Sequence, residues 1–266
     1  MSEEIKYPYI LFKLNGSLYC INSKYIMTIV QMPEYSTIPA APKNVIGMFR
    51  YRDQVIQMLS LRITFGLNSL ADECREFEDM IDARKQEYVN WAKELEQSIN
   101  DNGGLKTIAE PHSCPFEKWY DQFEASKPAV ADQLHKVEEL SKRLHRAVEE
   151  TEGSKREESL LSILKREEEE SVPGILRLLD ETKEVFHSSI CKEMVLVLDK
   201  MNWGIVVDEI VAVEDLKILD VRKQTSMVDQ CGYIANVMES PTKKGLIFEL
   251  DVDAFTREFN KLEKTF

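Results

Sequence analysis

The spacing of apolar positions changes twice along the chain. Residues 9–60 alternate with the short period of strands: "YILFKLNGSLYCI" reads as two strands about a turn at Asn15-Gly16, "YIMTIVQM" as a third, and "NVIGMFRYRDQVIQMLSL" as a pair about Arg52-Asp53. Short strands at this density, joined by tight turns, predict a small barrel. From Ser69 to about Asn100 there is no Gly or Pro. There Leu70, Phe77, Ile81, Tyr88, Trp91, Leu95 and Ile99 recur at steps of three, four and seven, which places them on one face of a long helix. After Asn102-Gly103-Gly104 and a loop to Pro111, a helix is predicted from near Pro115. Another follows from about Pro128 to Glu150, with Val130, Leu134, Val137, Leu140, Leu144 and Val148 on its apolar face, and a third over 155–190, with a bend at Pro173-Gly174. Helices joined in this way pack most simply as an antiparallel bundle. From Glu193 the strand period returns in "MVLVLD", "WGIVVDEIVAVEDL", "GYIANVME" and "GLIFELD", closed by a helix "VDAFTREFNKLEK". The expected organisation is α+β: a first β half over 1–67, an inserted antiparallel α-helical bundle over 68–190, and a second β half over 191–266.

Charge sharpens this division. Residues 68–190 hold 29 Asp and Glu against 17 Lys and Arg, which accounts for nearly all of the net charge of −13. Such a surface repels phosphate backbones and argues against nucleic acid as a partner; its plain reading is a solvated helical exterior. At 266 residues with 43% hydrophobic composition, the chain is expected to bury one large or two modest cores. No window approaches the run of apolar residues that a membrane span needs, so no membrane insertion is expected. "MSEEIKYPYI" lacks the basic and apolar regions of a secretory signal, and a cytoplasmic location is expected.

Candidate chemistry is sparse. No HExxH cluster, Gly-rich phosphate loop or GxSxG elbow occurs, so the chain is not expected to be an enzyme. The cysteines Cys20, Cys74, Cys114, Cys191 and Cys231 contain no CxxC pair and read as reduced, half-buried thiols. Cys114 differs because of its setting, "CPFEKWY", where Phe116, Trp119 and Tyr120 follow it in an acidic helical region. Metal ligand, oxidant sensor and packing residue are the three readings of that thiol.

The β segments resemble a known family. "YILFKLNGSLYCI", "IPAAPKNVIGMFRYRDQVIQMLSLRITFGL", "WGIVVDEIVAVEDL", "GYIANVME" and "GLIFELDVDAF" resemble, in order and spacing, the CheW domain, the coupling protein of bacterial chemotaxis arrays. The likeness covers about 1–67 and 191–266. The run Gly47 to Asp53 stands where the family has its "NLRG" turn, with Arg52 at the arginine and Asp53 in place of the glycine. "VIQMLSLR" matches the "viPviDLR" strand with Gln57 for the proline and Ser60 for the aspartate, and "GIVVD", Gly204 to Asp208, is intact. The resemblance implies two SH3-like five-stranded β-barrels, no active site, a groove for the cytoplasmic helices of chemoreceptors, and an edge that packs on the histidine kinase CheA. It carries receptor or kinase contact onto Ile26, Thr28, Arg52, Gly204 and Asp208, and it implies a place at membrane-associated receptor arrays. Asp53 puts the turn's shape in question, because glycine there reaches positive φ at little cost and aspartate at more.

The insertion resembles a second family. "CPFEKWY" is similar to the "CxLGKWY" core of the chemoreceptor zinc-binding (CZB) domain, a helical bundle that holds zinc with one cysteine and three histidines. "EYVNWAKEL" and "ELSKRLHRA" are similar to its "DHxxWKxxL" and "PHxxLHxxA" flanks. Carried over, the ligand positions are Tyr88, Cys114, Ser141 and His145, so Tyr88 and Ser141 stand where histidines are expected. His112, two residues before Cys114, is within reach of a shared ion if the loop folds back. His135 and His145 are separated by about 15 Å of helical rise and cannot share one, and His187 has no motif support. The resemblance implies either an adapted zinc site of Cys114, His145 and His112, or a vestigial one in which Tyr88 fills the space and Cys114 packs. It also implies dimerisation through the bundle. The functional expectation is a non-enzymatic scaffold coupling chemoreceptors to CheA, with the bundle as a zinc or redox input. The alternative is a stand-alone zinc- or oxidant-sensing protein that uses the barrels as a docking platform.

Overall fold

Asn15 and Gly16 both take positive φ, 48° and 78°, the backbone that a two-residue hairpin needs, and they join β1 (Tyr9–Leu14) to β2 (Ser17–Asn22). The computed structural model describes residues 7–100, 114–153, 158–219 and 232–263. The chain separates into two units, Met1–Ser69 with Cys191–Phe266, and Leu70–Ile190. The Asn102-Gly103-Gly104 break, the loop to Pro111, His112 and Cys231 lie outside the described residues.

The first unit is built from two sheets. Its remaining strands are β3 (Ile26–Gln31), β4 (Val45–Tyr51), β5 (Gln54–Ser60), β6 (Met194–Leu198), β7 (Trp203–Val207), β8 (Glu209–Glu214), β9 (Lys217–Ile218), β10 (Ile234–Glu239) and β11 (Ile247–Leu250). One sheet has six strands in the order β8-β1-β2-β11-β10-β9; the other has five in the order β3-β6-β7-β5-β4. Both draw on the segments before and after the insertion. β1 pairs β8 and β2 pairs β11 in the first sheet, while β3 pairs β6 and β5 pairs β7 in the second. Neither sheet is therefore complete without strands from both halves of the sequence.

The sheets roll without closing, which corrects the expectation of two five-stranded barrels. In the six-stranded sheet the edge strands β8 and β9 are separated in the chain only by Asp215 and Leu216, so the two edges come near each other. β9 is two residues long and pairs only with β10, too short to carry a ladder across the gap. Side chains bridge it instead: Ser240 and Thr242, just after β10, donate from their hydroxyls to the Glu214 carboxylate at 3.1 and 2.8 Å. In the five-stranded sheet the isolated bridge Ser36–Met48 brings the chain after β3 against β4. Gly47 permits that approach, since a Cβ there would lie 2.5 Å from the Ser36 carbonyl oxygen.

Strand alternation sorts the apolar residues into three layers. Leu11, Cys20, Leu216, Met238 and Ile247 fill the roll of the first sheet; Phe49, Ile56, Met58, Val195, Val197 and Val206 fill that of the second. Between the sheets lie Ile10, Phe12, Leu14, Leu196, Leu198, Ile205 and Val207, so β6 and β7 send alternate residues to two different cores. Gly204 sits in this central pair because a Cβ would lie 2.5 Å from Val195 Cγ1. After the four-residue helix α1 (Leu61–Thr64) the chain leaves for the insertion, and its last described element closes the central core. That helix follows the other helices named below; its Phe255 and Phe259 are buried, and Phe259 stacks on Trp203 at 4.5 Å between centroids.

The second unit is helical: α2 (Leu70–Asn100), α3 (Pro115–Tyr120), α4 (Pro128–Gly153) and α5 (Glu158–Ile190), with α6 (Val252–Glu263) as the closing helix of the first unit. α5 runs unbroken through Pro173. Partner numbers fall along one helix as they rise on the other. Phe77 meets Phe186 and Lys85 meets Asp180, so α2 and α5 are antiparallel; Gln133 meets Glu181 and Arg143 meets Glu167, so α4 and α5 are too. α2 and α4 consequently run parallel, with Trp91 against His145. The stripe predicted on α2 faces inward: Leu70, Phe77, Ile81, Tyr88, Trp91 and Leu95 are all buried, as are Val130, Leu134, Val137, Leu144 and Val148 of α4.

Candidate functional site

The interior of the bundle carries an unusual polar cluster. Tyr88 and Trp91 come from α2, Cys114 caps the start of α3, Glu117 lies one turn on, and Ser141 and His145 come from successive turns of α4. Tyr88, Cys114 and Ser141 are fully buried. The Tyr88 and Ser141 hydroxyls, Trp91 Nε1 and His145 Nε2 are all buried without a hydrogen-bond partner. The His145 ring lies 4.8 Å from that of Trp91, and its Nε2 is 3.8 Å from Glu117 Oε1, too long for a hydrogen bond. Four unpaired polar atoms in one core are costly, on the order of 1–3 kcal/mol each.

Burial governs protonation here. The Tyr88 hydroxyl is driven well above its ordinary range by burial and by the nearby Cys114, so it stays protonated. Burial also raises the Cys114 thiol, opposed by the amides of Glu117 and Phe116 and by Ser141. His145 is pushed down to about 4 by burial, with Glu149 acting against that shift. The donors are therefore a neutral imidazole, a thiol and two neutral hydroxyls. Zinc needs four good N, S or O donors, and a tyrosine or serine hydroxyl joins only after an unfavourable deprotonation. Among the described residues, Cys114 and His145 belong to no group of three Cys, His, Asp or Glu donors close enough to share an ion. Among the described residues, Tyr88, Cys114, Ser141 and His145 do not by themselves make a tetrahedral zinc centre, and His112, the third ligand of the expected adapted site, lies outside them.

A pH dependence follows from His145. Its folded value lies below the 6.5 of the exposed side chain, so between about 4 and 6.5 the unfolded chain binds the extra proton and stability rises with pH. The span corresponds to about 3 kcal/mol. Glu149, whose carboxylate acts against the shift, reduces it. Urea unfolding from pH 4 to 7 should show this slope in the native protein and a shallower one in His145→Gln; equal slopes would mean that the ring is solvated.

In the β unit the residues singled out as docking positions have two different settings. Ile26 and Thr28 lie on β3, an edge strand with a bulge between them, beside the exposed Met27. Arg52 is at the tip of the β4–β5 hairpin, its guanidinium 5.2 Å from the Tyr51 ring centroid, with exposed Val55 nearby on β5. Strand order places β3 and β4 at opposite edges of the sheet. The positive φ of the turn, 54°, falls on Arg52 and not on Asp53, so the lost glycine is not the residue that takes the left-handed conformation.

Gly204 and Asp208 are set inside the unit. Gly204 is buried on β7, and Asp208 accepts from Arg62 Nε at 2.8 Å and from the Asn15 backbone N–H at 2.8 Å. Arg62 also donates to the Asn68 carbonyl at 3.0 Å, and the two charged side chains are only 7% and 14% exposed. Glu193 lies close enough to feel both charges; its carboxyl is raised by burial and by Asp208, and Arg62 opposes this. The ion pair joins Arg62, in α1 just after β5, to Asp208, the last residue of "GIVVD", two positions on opposite sides of the insertion in the sequence.

The comparisons with known proteins bear on the β unit. Residues 8–87 match the CheW-like domain family. The match includes β1 to β5 and runs into α2, and it does not extend to the strands after Ile190 that complete both sheets. Among solved structures, the scaffolding protein TtCheW from Thermoanaerobacter tengcongensis is similar at 9% identity over 93% of this chain and 90% of its own, with a TM-score of 0.39, too loose an overlap to carry an argument. No match was found among curated proteins. Among the described residues, no helix is long and apolar enough to cross a membrane.

Proposed function

We infer that the protein is a chemotaxis coupling scaffold that binds chemoreceptor cytoplasmic helices and the histidine kinase CheA and performs no chemistry of its own. The match of residues 8–87 to the CheW-like domain carries this reading. The surface of the β unit supports it. An edge strand with an exposed Met27, and a hairpin tip with Arg52 and exposed Val55, offer backbone groups, apolar area and one directed cation, the ingredients of a protein interface. Gly204 and Asp208 serve the fold beneath that surface, so docking is assigned to Ile26, Thr28 and Arg52. The acidic bundle, inserted in the chain between the two halves of the docking unit, is a spacer or regulatory arm.

The test is co-sedimentation of the full chain with receptor cytoplasmic fragments and CheA. Thr28→Arg and Arg52→Glu, both at positions outside the core, should each weaken capture about tenfold, or roughly 1.4 kcal/mol. Retention of neither partner by the unmodified chain would dismiss the coupling role.

A further inference from the structure

Within the helical unit, the facing sides of α2 and α5 carry charge as well as apolar residues. Toward the start of α2, Lys85 pairs with Asp180 and Lys183 with Asp82, two ion pairs across the helices beside the stacked rings of Phe77 and Phe186. Along this antiparallel seam each step up α2 is met by a step down α5. Eleven residues, about three turns, lead from Lys85 to Glu96 on one face of α2, and eighteen, about five turns, lead back from Phe186 to Glu168 on one face of α5. The register that joins unlike charges at one end therefore brings two carboxylates together at the other. Leu95, next to Glu96, and Leu164, one turn before Glu168, are fully buried, so the apolar core continues to this end and holds the helices against each other there. On the flank of α5 that faces α4, Glu167 and Glu170 are met by Arg143. Glu168 is met by Glu96 instead. Burial, Glu96 across the seam and Glu169 beside it hold the half-buried Glu168 carboxyl above the usual range, and Lys165 on its own helix opposes them.

We propose that the Glu96–Glu168 contact is an acid-sensitive latch in the bundle: the end of α2 and the start of α5 stay closed on each other while Glu168 carries a proton, and part when both carboxylates are ionised. The Lys85–Asp180 and Lys183–Asp82 pairs keep the opposite end shut, so the opening is a local hinge and not the loss of the bundle. Its sign follows from linkage. The closed form holds the Glu168 proton more tightly than the open form does, so closure is favoured at low pH and weakens as pH rises through the range in which Glu168 releases its proton to solvent. The latch concerns the bundle alone; it does not rest on the coupling role, and either can fail without the other.

The test is hydrogen exchange of the full-length protein at pH 5 and 7.5. The quantity read is the protection factor, corrected for the intrinsic rate, of residues 92–98 and 161–168 relative to residues 77–83 and 180–186 of the same two helices. His145 lowers stability toward acid, and taking the ratio removes the part of that effect common to both ends. In the unmodified chain the ratio should fall at least about threefold from pH 5 to 7.5. Glu96→Gln and Glu168→Gln should each raise the pH 7.5 ratio to its acid value, and the double variant should raise it no further, because either change alone removes the repulsion. Glu94→Gln removes an exposed charge from α2 without touching the seam and should leave the ratio as it is. A ratio indifferent to pH overturns the proposal, as does a Glu96→Gln or Glu168→Gln variant that keeps the native value at pH 7.5. An equal response to Glu94→Gln would trace the effect to net charge and overturn it too. Circular dichroism checks the fold of each variant, and an unfolded Glu168→Gln or Glu96→Gln also counts against the latch, since relief of repulsion cannot unfold the bundle.

Discussion

Arg62→Ala should lower the unfolding free energy by about 3 kcal/mol or more, the range expected when one member of a buried ion pair is removed and its partner is left uncompensated. The basis is the pairing of Arg62 with Asp208 at 2.8 Å between side chains 7% and 14% exposed, with Glu193 beside them. An exposed pair provides the control. Arg143 meets Glu167 at 2.7 Å with its side chain 47% exposed, and Arg143→Ala should cost under about 1 kcal/mol. The Arg62 defect should also depend on pH. Without the guanidinium that opposes its shift, the Glu193 carboxyl is held further above its unfolded value, so the folded form binds the extra proton and its stability falls as pH rises through that range. The variant should accordingly be closest to native near pH 5 and worst near pH 8. Chemical denaturation of Arg62→Ala, Arg143→Ala and the native chain at both pH values checks this; equal costs for the two arginines would show that the buried pair does not join the segments flanking the insertion.

That ion pair marks the boundary of what was legible. Periodicity located β1, β6, β7 and the helices, because a half-buried strand and an amphipathic helix each expose their period in the residues themselves. The Asn15-Gly16 turn was legible for the same reason, as both positions there require positive φ. Strand pairing was not. "MVLVL" is apolar throughout because Leu196 and Leu198 face one core and Val195 and Val197 another, and a continuous run does not say which face meets which sheet. Asp208, expected from the "GIVVD" run as a docking position, is held in the structure by Arg62 and the Asn15 backbone, partners that the sequence did not indicate. The open rolls also lay beyond the sequence, since a two-residue β9 is a matter of where the ladder stops. In the bundle, the grouping of Tyr88, Cys114, Ser141 and His145 came from a resemblance in spacing, not from periodicity.

Joint replacement of Tyr88 and Ser141 by histidine should create a zinc site in the bundle core. Both side chains are fully buried and flank the Cys114 thiol, with His145 one turn beyond Ser141 on the same helix, so Tyr88→His with Ser141→His supplies one thiolate and three imidazoles around a common point. Without metal the double variant should be less stable than the native chain by a few kcal/mol, roughly the cost of losing a large buried aromatic and adding unpaired polar nitrogens. Zinc should reverse the loss. At a free concentration about 1,000 times the dissociation constant, binding to the folded form alone adds about 4 kcal/mol. The measurement is metal stoichiometry with thermal unfolding: the double variant should bind one zinc more per chain than the native protein does and should gain far more in melting temperature on zinc addition. Tyr88→His or Ser141→His alone should gain little, since three donors with a hydroxyl in the fourth place leave the centre incomplete. If the double variant takes up no additional zinc while remaining folded, the four side chains do not face one point.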